Sequence, residues 1–146
     1  MDYSTAQSIA NALKKDTHKT VFIAGSLKRK EPIINDIDVI IDMNRYNYIP
    51  NLQDNIKELG LKQKLNGYKY KSYDLNGIKI DFWLSHDPYE LKFLKWMRTM
   101  EKGKNIYYRK KAREKGLILS DRGLKNKEND YFDFNTLSEL TEFLKT

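Results

Sequence analysis

The sequence contains no cysteine, which excludes disulfides, thiol catalysis and cysteine-ligated zinc and suits a reducing compartment. Long apolar runs are also missing. The longest, Val21–Gly25 and Val39–Ile41, fall far short of the roughly 20 residues that a membrane-spanning helix needs. The opening MDYSTAQSIANALKKD puts polar groups where a signal peptide carries its apolar block, and no small-residue cleavage site follows, so secretion is not expected. Internal repeats and low-complexity tracts are absent. A length of 146 residues is about one domain, too short for two independent cores. What is present argues for a folded chain: 32% of residues are charged, yet ten Tyr, six Phe and two Trp are too many for a disordered one. The abundance of Lys, Asn, Ile and Tyr suits an AT-rich genome such as that of a virus or phage. The expected location is intracellular, in the cytoplasm or nucleus of a host cell.

Lys and Arg number 27 against 20 Asp and Glu, a formal +7 that points to a polyanionic partner. The excess is local. Between Lys102 and Lys127 there are ten basic and two acidic residues, a balance of +8, which leaves −1 for the other 120 residues. A solvated lysine-rich helix is the plain explanation of such a run, and a nucleic-acid contact is the functional one.

Periodicity supplies a coarse map. Ser4 with Gln7 forms a capping-box pattern ahead of Ala6, Ile9, Ala10 and Leu13, predicting a helix over 5–15. Thr20–Ala24 reads as a buried strand ending at Gly25. Asp36–Met43 reads as a second, with Ile37, Val39 and Ile41 on one face and Asp36, Asp38, Ile40 and Asp42 on the other. A short helix over 52–59 is closed by Gly60. Asn76-Gly77 between two alternating runs, Tyr68–Leu75 and Ile78–Leu84, predicts a hairpin. Pro88–Met100 carries the helical stripe Phe93, Trp96, Met97 and Met100, and a basic helix follows to about Lys115, stopped by Gly116. Short strands flank Asp121-Arg122-Gly123, and Thr136 with Glu139 opens a last amphipathic helix. The class is therefore mixed α/β (α+β), a mixed sheet with flanking helices followed by a small helical and hairpin subdomain. The boundary falls near 85–88, dividing the chain into 1–86 and 87–146.

Three acids stand out. Asp36 and Asp38 point to the same side of one strand, with Cα atoms roughly 7 Å apart at a rise of about 3.3 Å per residue. Asp81 lies on another predicted strand within the apolar frame Ile78, Ile80, Phe82 and Leu84. If the strands are neighbours, the three carboxylates can share two divalent ions. Asp-x-Asp is common on exposed strand faces, so the upstream turn matters. In Gly25-Ser26-Leu27-Lys28-Arg29, Gly25 admits close approach of a phosphate, Ser26 offers a hydroxyl and an N–H, and Arg29 can grip phosphate with two hydrogen bonds.

With these residues in place the sequence resembles the nucleotidyltransferase superfamily, and within it the X family of DNA polymerases. The family pattern Gly-Ser-x-Arg-Arg before Asp-x-Asp-Val is similar to Gly25-Ser26-Leu27-Lys28-Arg29 and Asp36-Ile37-Asp38-Val39, with Lys28 at the first Arg. Lys79-Ile80-Asp81 matches its basic-apolar-Asp strand, and Asn105, Arg109, Ala112 and Glu114-Lys115-Gly116 match its Asn-bearing helix. The resemblance covers residue 20 to the end and implies a palm at 1–86 and a DNA- and nucleotide-binding thumb at 87–146. It also implies a template-directed DNA polymerase that uses Mg2+, with Mn2+ able to substitute, and fills short gaps in repair. Asp36, Asp38 and Asp81 would be the catalytic metal ligands, and Gly25, Ser26, Arg29, Asn105 and Arg109 would meet the dNTP. Lys102, Lys104, Arg109, Lys110 and Arg113 would meet DNA. The partners implied are primer-template or gapped DNA and dNTP, with no membrane, for a monomer.

The length fits a minimal palm-plus-thumb member, without a lyase domain or fingers, so lyase activity is not expected. One departure is Met97-Arg98-Thr99-Met100-Glu101, where the family carries an aromatic pair and Thr-Gly-Ser. Two other functions share part of the pattern: a small nucleotidyltransferase acting on a protein, an RNA end or a small molecule, and a non-catalytic nucleic-acid-binding module. His18 and His86 read as isolated residues with a surface or capping role, Trp83 and Trp96 as core, Asp42 as an exposed strand-end acid, and Tyr107 and Tyr108 as helix packing or base stacking.

Overall fold

The computed structural model describes all residues, Met1–Thr146. Helix α1 (Tyr3–Lys14) is followed by strand β1 (Val21–Ala24), a single helical turn α2 (Gly25–Lys28) and strand β2 (Asp36–Asp42). A 3-10 turn at Tyr46–Tyr48 leads into helix α3 (Ile49–Leu59), then β3 (Lys62–Asn66), β4 (Tyr70–Leu75) and β5 (Ile78–Ser85). Helices α4 (Pro88–Thr99) and α5 (Lys102–Glu114) precede the small strands β6 (Ile118–Ser120), β7 (Gly123–Lys125) and β8 (Tyr131–Phe132), and α6 (Leu137–Lys145) closes the chain.

The first five strands form one mixed sheet in the order β1-β2-β5-β4-β3, in which β2 and β5 are the parallel pair. Alternation along β2 and β5 gives the sheet two different faces. Ile37, Val39, Ile41, Ile80, Phe82 and Leu84 bury together with Ala6, Ile9, Ala10 and Leu13 of α1 and Leu52 of α3. Each of the Ile, Val, Leu and Phe side chains among them contributes about 1.5–3 kcal/mol on leaving water. The opposite face packs Ala24, Ile40 and Leu94 of α4 in a smaller cluster with Phe22, Trp83 and Leu91. A slip of one residue in β2 would turn Asp36 and Asp38 into the larger core, so hydrophobic burial itself holds the acids on the α4 side.

A second core draws Phe93 and Met97 from α4, Ala112 from α5, Leu119 and Leu124 from the hairpin, and Leu140 and Leu144 from α6. Helix α4 therefore serves this core and the smaller cluster on the opposite face of the sheet. The two parts are also fastened by Arg122 in the β6–β7 turn. Its Nη1 donates to the Leu84 carbonyl at 2.7 Å and to Glu90 Oε1 at 2.6 Å, and its Nη2 donates to the Lys69 carbonyl at 2.9 Å.

Some boundaries differ from those the sequence suggests. Helix α1 is capped by Asp2, whose Oδ1 accepts from the Thr5 N–H at 2.8 Å, and Ser4 lies inside the first turn instead of capping it. Helix α3 starts at Ile49 because Pro50 is accepted in the first turn. The sequence carries no signal for strands β3 and β8: β3 is exposed along its whole length and has no buried face to mark it, and β8 has only two residues.

Candidate active site

The acids are brought together by the parallel pairing. Asp38 stands directly across from Asp81, and Asp36 across from Lys79, so Asp36, Asp38, Lys79 and Asp81 share one face of two adjacent strands. Ala24 pairs with Asp38 from the other side, which sets the Gly25-Ser26 turn beside the acids. Gly25 has φ +64°, and a Cβ there would come within 2.3 Å of Asp38 Oδ2. Glycine is required on both counts: for the left-handed backbone and for the room that Asp38 occupies.

The carboxylates differ in environment. Asp36 is exposed, Asp38 half-buried and Asp81 buried. Asp81 accepts from the Tyr70 hydroxyl and has Lys79 Nζ at 3.6 Å. Asp38 Oδ1 accepts from Trp83 Nε1 at 3.2 Å. Burial pushes the Asp38 carboxyl above its usual value; the indole hydrogen bond and Arg98 oppose that rise, and the neighbouring Asp81 and Asp36 add to it. The Tyr70 hydroxyl is raised by burial first and then by its bond to Asp81, and Lys79 is raised chiefly by Asp81. A half-buried carboxylate whose proton affinity is raised beside two others is a site short of positive charge.

An all-carboxylate donor set on one face suits a hard divalent cation. The side chains as they stand do not close into a three-ligand cage, because Asp81 is turned to Tyr70 and Asp38 to Trp83. Residues and placement therefore fit such an ion, and rotation of these carboxylates would be needed to hold it.

The remaining expected residues fall into two groups. Ser26 is half-buried in the turn next to Asp38. Arg29 is already engaged: Nη1 lies 3.3 Å and 3.4 Å from the carbonyls of Thr99 and Met100, and Nη2 is 3.0 Å from Glu31. It fastens the α2 turn to the end of α4, and a phosphate grip would require it to leave these partners. Asn105 donates to the Met97 carbonyl at 2.8 Å and accepts from Arg109 Nε, so this pair is bound to itself and to α4. Lys102, Lys104, Lys110 and Arg113 are exposed on α5, with Arg109 half-buried among them. Arg29 and Lys104 also line a cleft of about 500 Å³ between the end of α4, α5 and α6, whose walls include none of the three acids.

Several residues at the site stand outside the sequence motif. Trp83 packs in the smaller cluster, as expected of a core residue, and its half-buried ring also reaches the acidic face, because the alternation that puts Phe82 inward puts Trp83 beside Asp81. Tyr70 and Arg98 left no signal of comparable strength. His86, expected to be isolated, stacks on Tyr68 with ring centroids 3.8 Å apart. Tyr107 is exposed, whereas Tyr108 packs against the second core.

A mixed sheet that carries acids in register beside a Gly-Ser turn, followed by a basic helix and a small hairpin, makes a fold similar to that of polymerase beta. Two solved structures of Leishmania infantum polymerase beta share it across the whole chain. Its ternary P/T complex superposes with a TM-score of 0.78 at 14% identity and its ternary gap complex with 0.79 at 13%, the chain covering 73% and 67% of those proteins. At that identity the likeness is one of fold. The sequence matches no protein-family model and no curated protein.

Proposed function

We propose that this chain is a template-directed DNA polymerase of X-family type, which transfers a nucleotidyl group from a dNTP to a primer 3′-hydroxyl and fills short gaps in DNA repair. The observation that carries the proposal is the direct register of Asp38 with Asp81 beside the Gly25-Ser26 turn. Asp36, Asp38 and Asp81 would hold divalent ions, Mg2+ or Mn2+, which when bound favour loss of the primer hydroxyl proton and neutralise the departing pyrophosphate. Gly25 keeps the backbone low enough for a phosphate to approach, and Ser26 presents its hydroxyl and N–H there. Arg29 supplies charge at the edge of this turn, and Asn105 and Arg109 face the nucleotide and template base. Lys102, Lys104, Lys110 and Arg113 track the DNA backbone, giving affinity that is independent of sequence and sensitive to salt. In this reading 1–86 is the palm and 87–146 the thumb, and the protein works as an intracellular monomer. The gap complex among the structural neighbours supports a gapped duplex as the substrate.

The test is primer extension on gapped DNA with each dNTP and Mg2+ or Mn2+. Asp38→Asn and Asp81→Asn should each abolish incorporation while DNA binding stays nearly unchanged. Incorporation at the wild-type rate by Asp38→Asn protein would end the assignment. Transfer of AMP to a protein or RNA end, with no primer extension, would favour a small nucleotidyltransferase instead.

A further inference from the structure

Three side chains stand in line behind Asp38. Trp83 Nε1 donates to its Oδ1 at 3.2 Å, and the guanidinium carbon of Arg98 lies 3.5 Å from the centroid of the Trp83 ring. Arg98 in turn places Nε and Nη2 on one oxygen of Asp121, at 3.0 and 2.7 Å. Asp121 belongs to the β6–β7 turn, where the next residue, Arg122, is bound to the Leu84 carbonyl on β5 and to Glu90 on α4. The line thus runs from the C-terminal hairpin to the acidic face of the sheet.

We propose that Asp121, acting through Arg98 and Trp83, positions the Asp38 carboxylate, so that seating of the β6–β7 hairpin on the sheet sets the geometry of the acidic site. The indole carries a single N–H, which fixes one oxygen of the carboxylate in direction as well as distance. Without that donor the Asp38 rotamer would be governed by repulsion from Asp36 and Asp81. The indole ring is itself clamped by a flat guanidinium, an arrangement that a lysine cannot reproduce. Asp121 holds that guanidinium over the ring through hydrogen bonds to Arg98 and makes none to Trp83 or Asp38, so Arg98 is its direct link to the indole. Trp83, Arg98 and Asp121 are positioning residues, and their catalytic meaning rests on the role of Asp38 given above.

Two measurements on the full chain test this. The sequence has two tryptophans, Trp83 and Trp96, so a nitrogen–proton correlation spectrum shows two indole signals, which Trp96→Phe assigns. Asp121→Asn should move the Trp83 signal and leave the Trp96 signal in place, and an unmoved Trp83 signal overturns the proposal whatever the activity. Should Asn at 121 unfold the hairpin, Asp121→Glu carries the same comparison, because it keeps the charge and displaces it by one methylene.

The second measurement is primer extension on gapped DNA. Trp83→Phe should lower kcat by about tenfold, short of the hundredfold that a 1 Å misplacement can cost. KM for dNTP and the affinity for DNA should stay within about twofold if only transition-state positioning is lost. Asp121→Asn should lower kcat less, Asp121→Glu should recover part of it, and in the Trp83→Phe background Asp121→Asn should add almost nothing. Fully additive losses overturn the proposal. A wild-type protein that extends no primer sinks the polymerase reading instead, and the Trp83 signal still decides whether Asp121 reaches the site.

Discussion

The carboxylate of Asp38 occupies the place where a side chain on Gly25 would be: a Cβ there would stand 2.3 Å from Oδ2 and 3.1 Å from the carboxyl carbon. Because Gly25 also has φ +64°, Gly25→Ala meets strain in its own backbone and a clash with an acid of the site at once. The expected cost is about 1–3 kcal/mol of folding stability from the backbone alone. Urea denaturation measures it, and primer extension should fall in parallel as Asp38 is displaced. A wild-type unfolding midpoint would mean that the turn and Asp38 both give way freely.

Burial raises the Asp38 carboxyl above the usual 3.8, with Asp81 and Asp36 adding to the shift and Trp83 and Arg98 opposing it. The folded state therefore binds more protons than the unfolded state between 3.8 and the raised value. Above that window the ionised carboxylate works against folding, and below it the penalty disappears. Asp38→Asn should raise Tm at pH 7, and the gain should shrink as pH falls through the window. A difference in Tm that stays constant down to pH 3 would assign the gain to something other than ionisation.

Salt dependence reports on the basic face of α5. Lys102, Lys104, Lys110 and Arg113 are all exposed. If each contacts one phosphate, replacing any of them with Ala should lower the slope of log affinity against log salt concentration by about 0.9 on duplex DNA. Fluorescence anisotropy with a labelled gapped duplex, over a salt series, measures this. Four unchanged slopes would place the DNA on another surface.

Arg122 closes a nearly buried ion pair with Glu90, whose side chain is 11% exposed, while also donating to the carbonyls of Leu84 on β5 and of Lys69 in the β3–β4 loop. Arg122→Ala leaves that carboxylate with only Lys69, 4.0 Å away on the surface. A loss of about 3–5 kcal/mol is expected for breaking a buried pair on one side. Adding Glu90→Gln should return part of it, which chemical denaturation of the single and double variants would show.

Local signals carried much of this architecture. Asn76-Gly77 announces its hairpin because the turn needs two left-handed residues, and both have positive φ, 50° and 87°. Gly60 and Gly116 end helices for the same reason, at φ 74° each. The acids were legible in β2 and β5 as misfits within alternating strands. Their mutual register was not, because parallel strands are joined by a long crossover and nothing local sets their alignment. The hold of Trp83 on Asp38 and of Arg98 on Trp83 is likewise made between residues 45 and 15 positions apart, beyond the reach of any periodicity. Arg29 is a motif position that suggests a phosphate contact, and in the folded chain its guanidinium lies against the carbonyls of Thr99 and Met100, partners 70 and 71 positions away that no local pattern announces.

Strand β3 leaves one margin of the sheet open to water, with Leu65 57% exposed on it. Such a margin can recruit a strand from another copy of the chain and seed aggregates. Lys62 and Lys64 lie along it, and Gln63 and Leu65 mark a break in its pairing with β4. Two like charges brought face to face and an irregular ladder both discourage that association, so the least hydrophobic strand of the protein is also the one that guards its open margin.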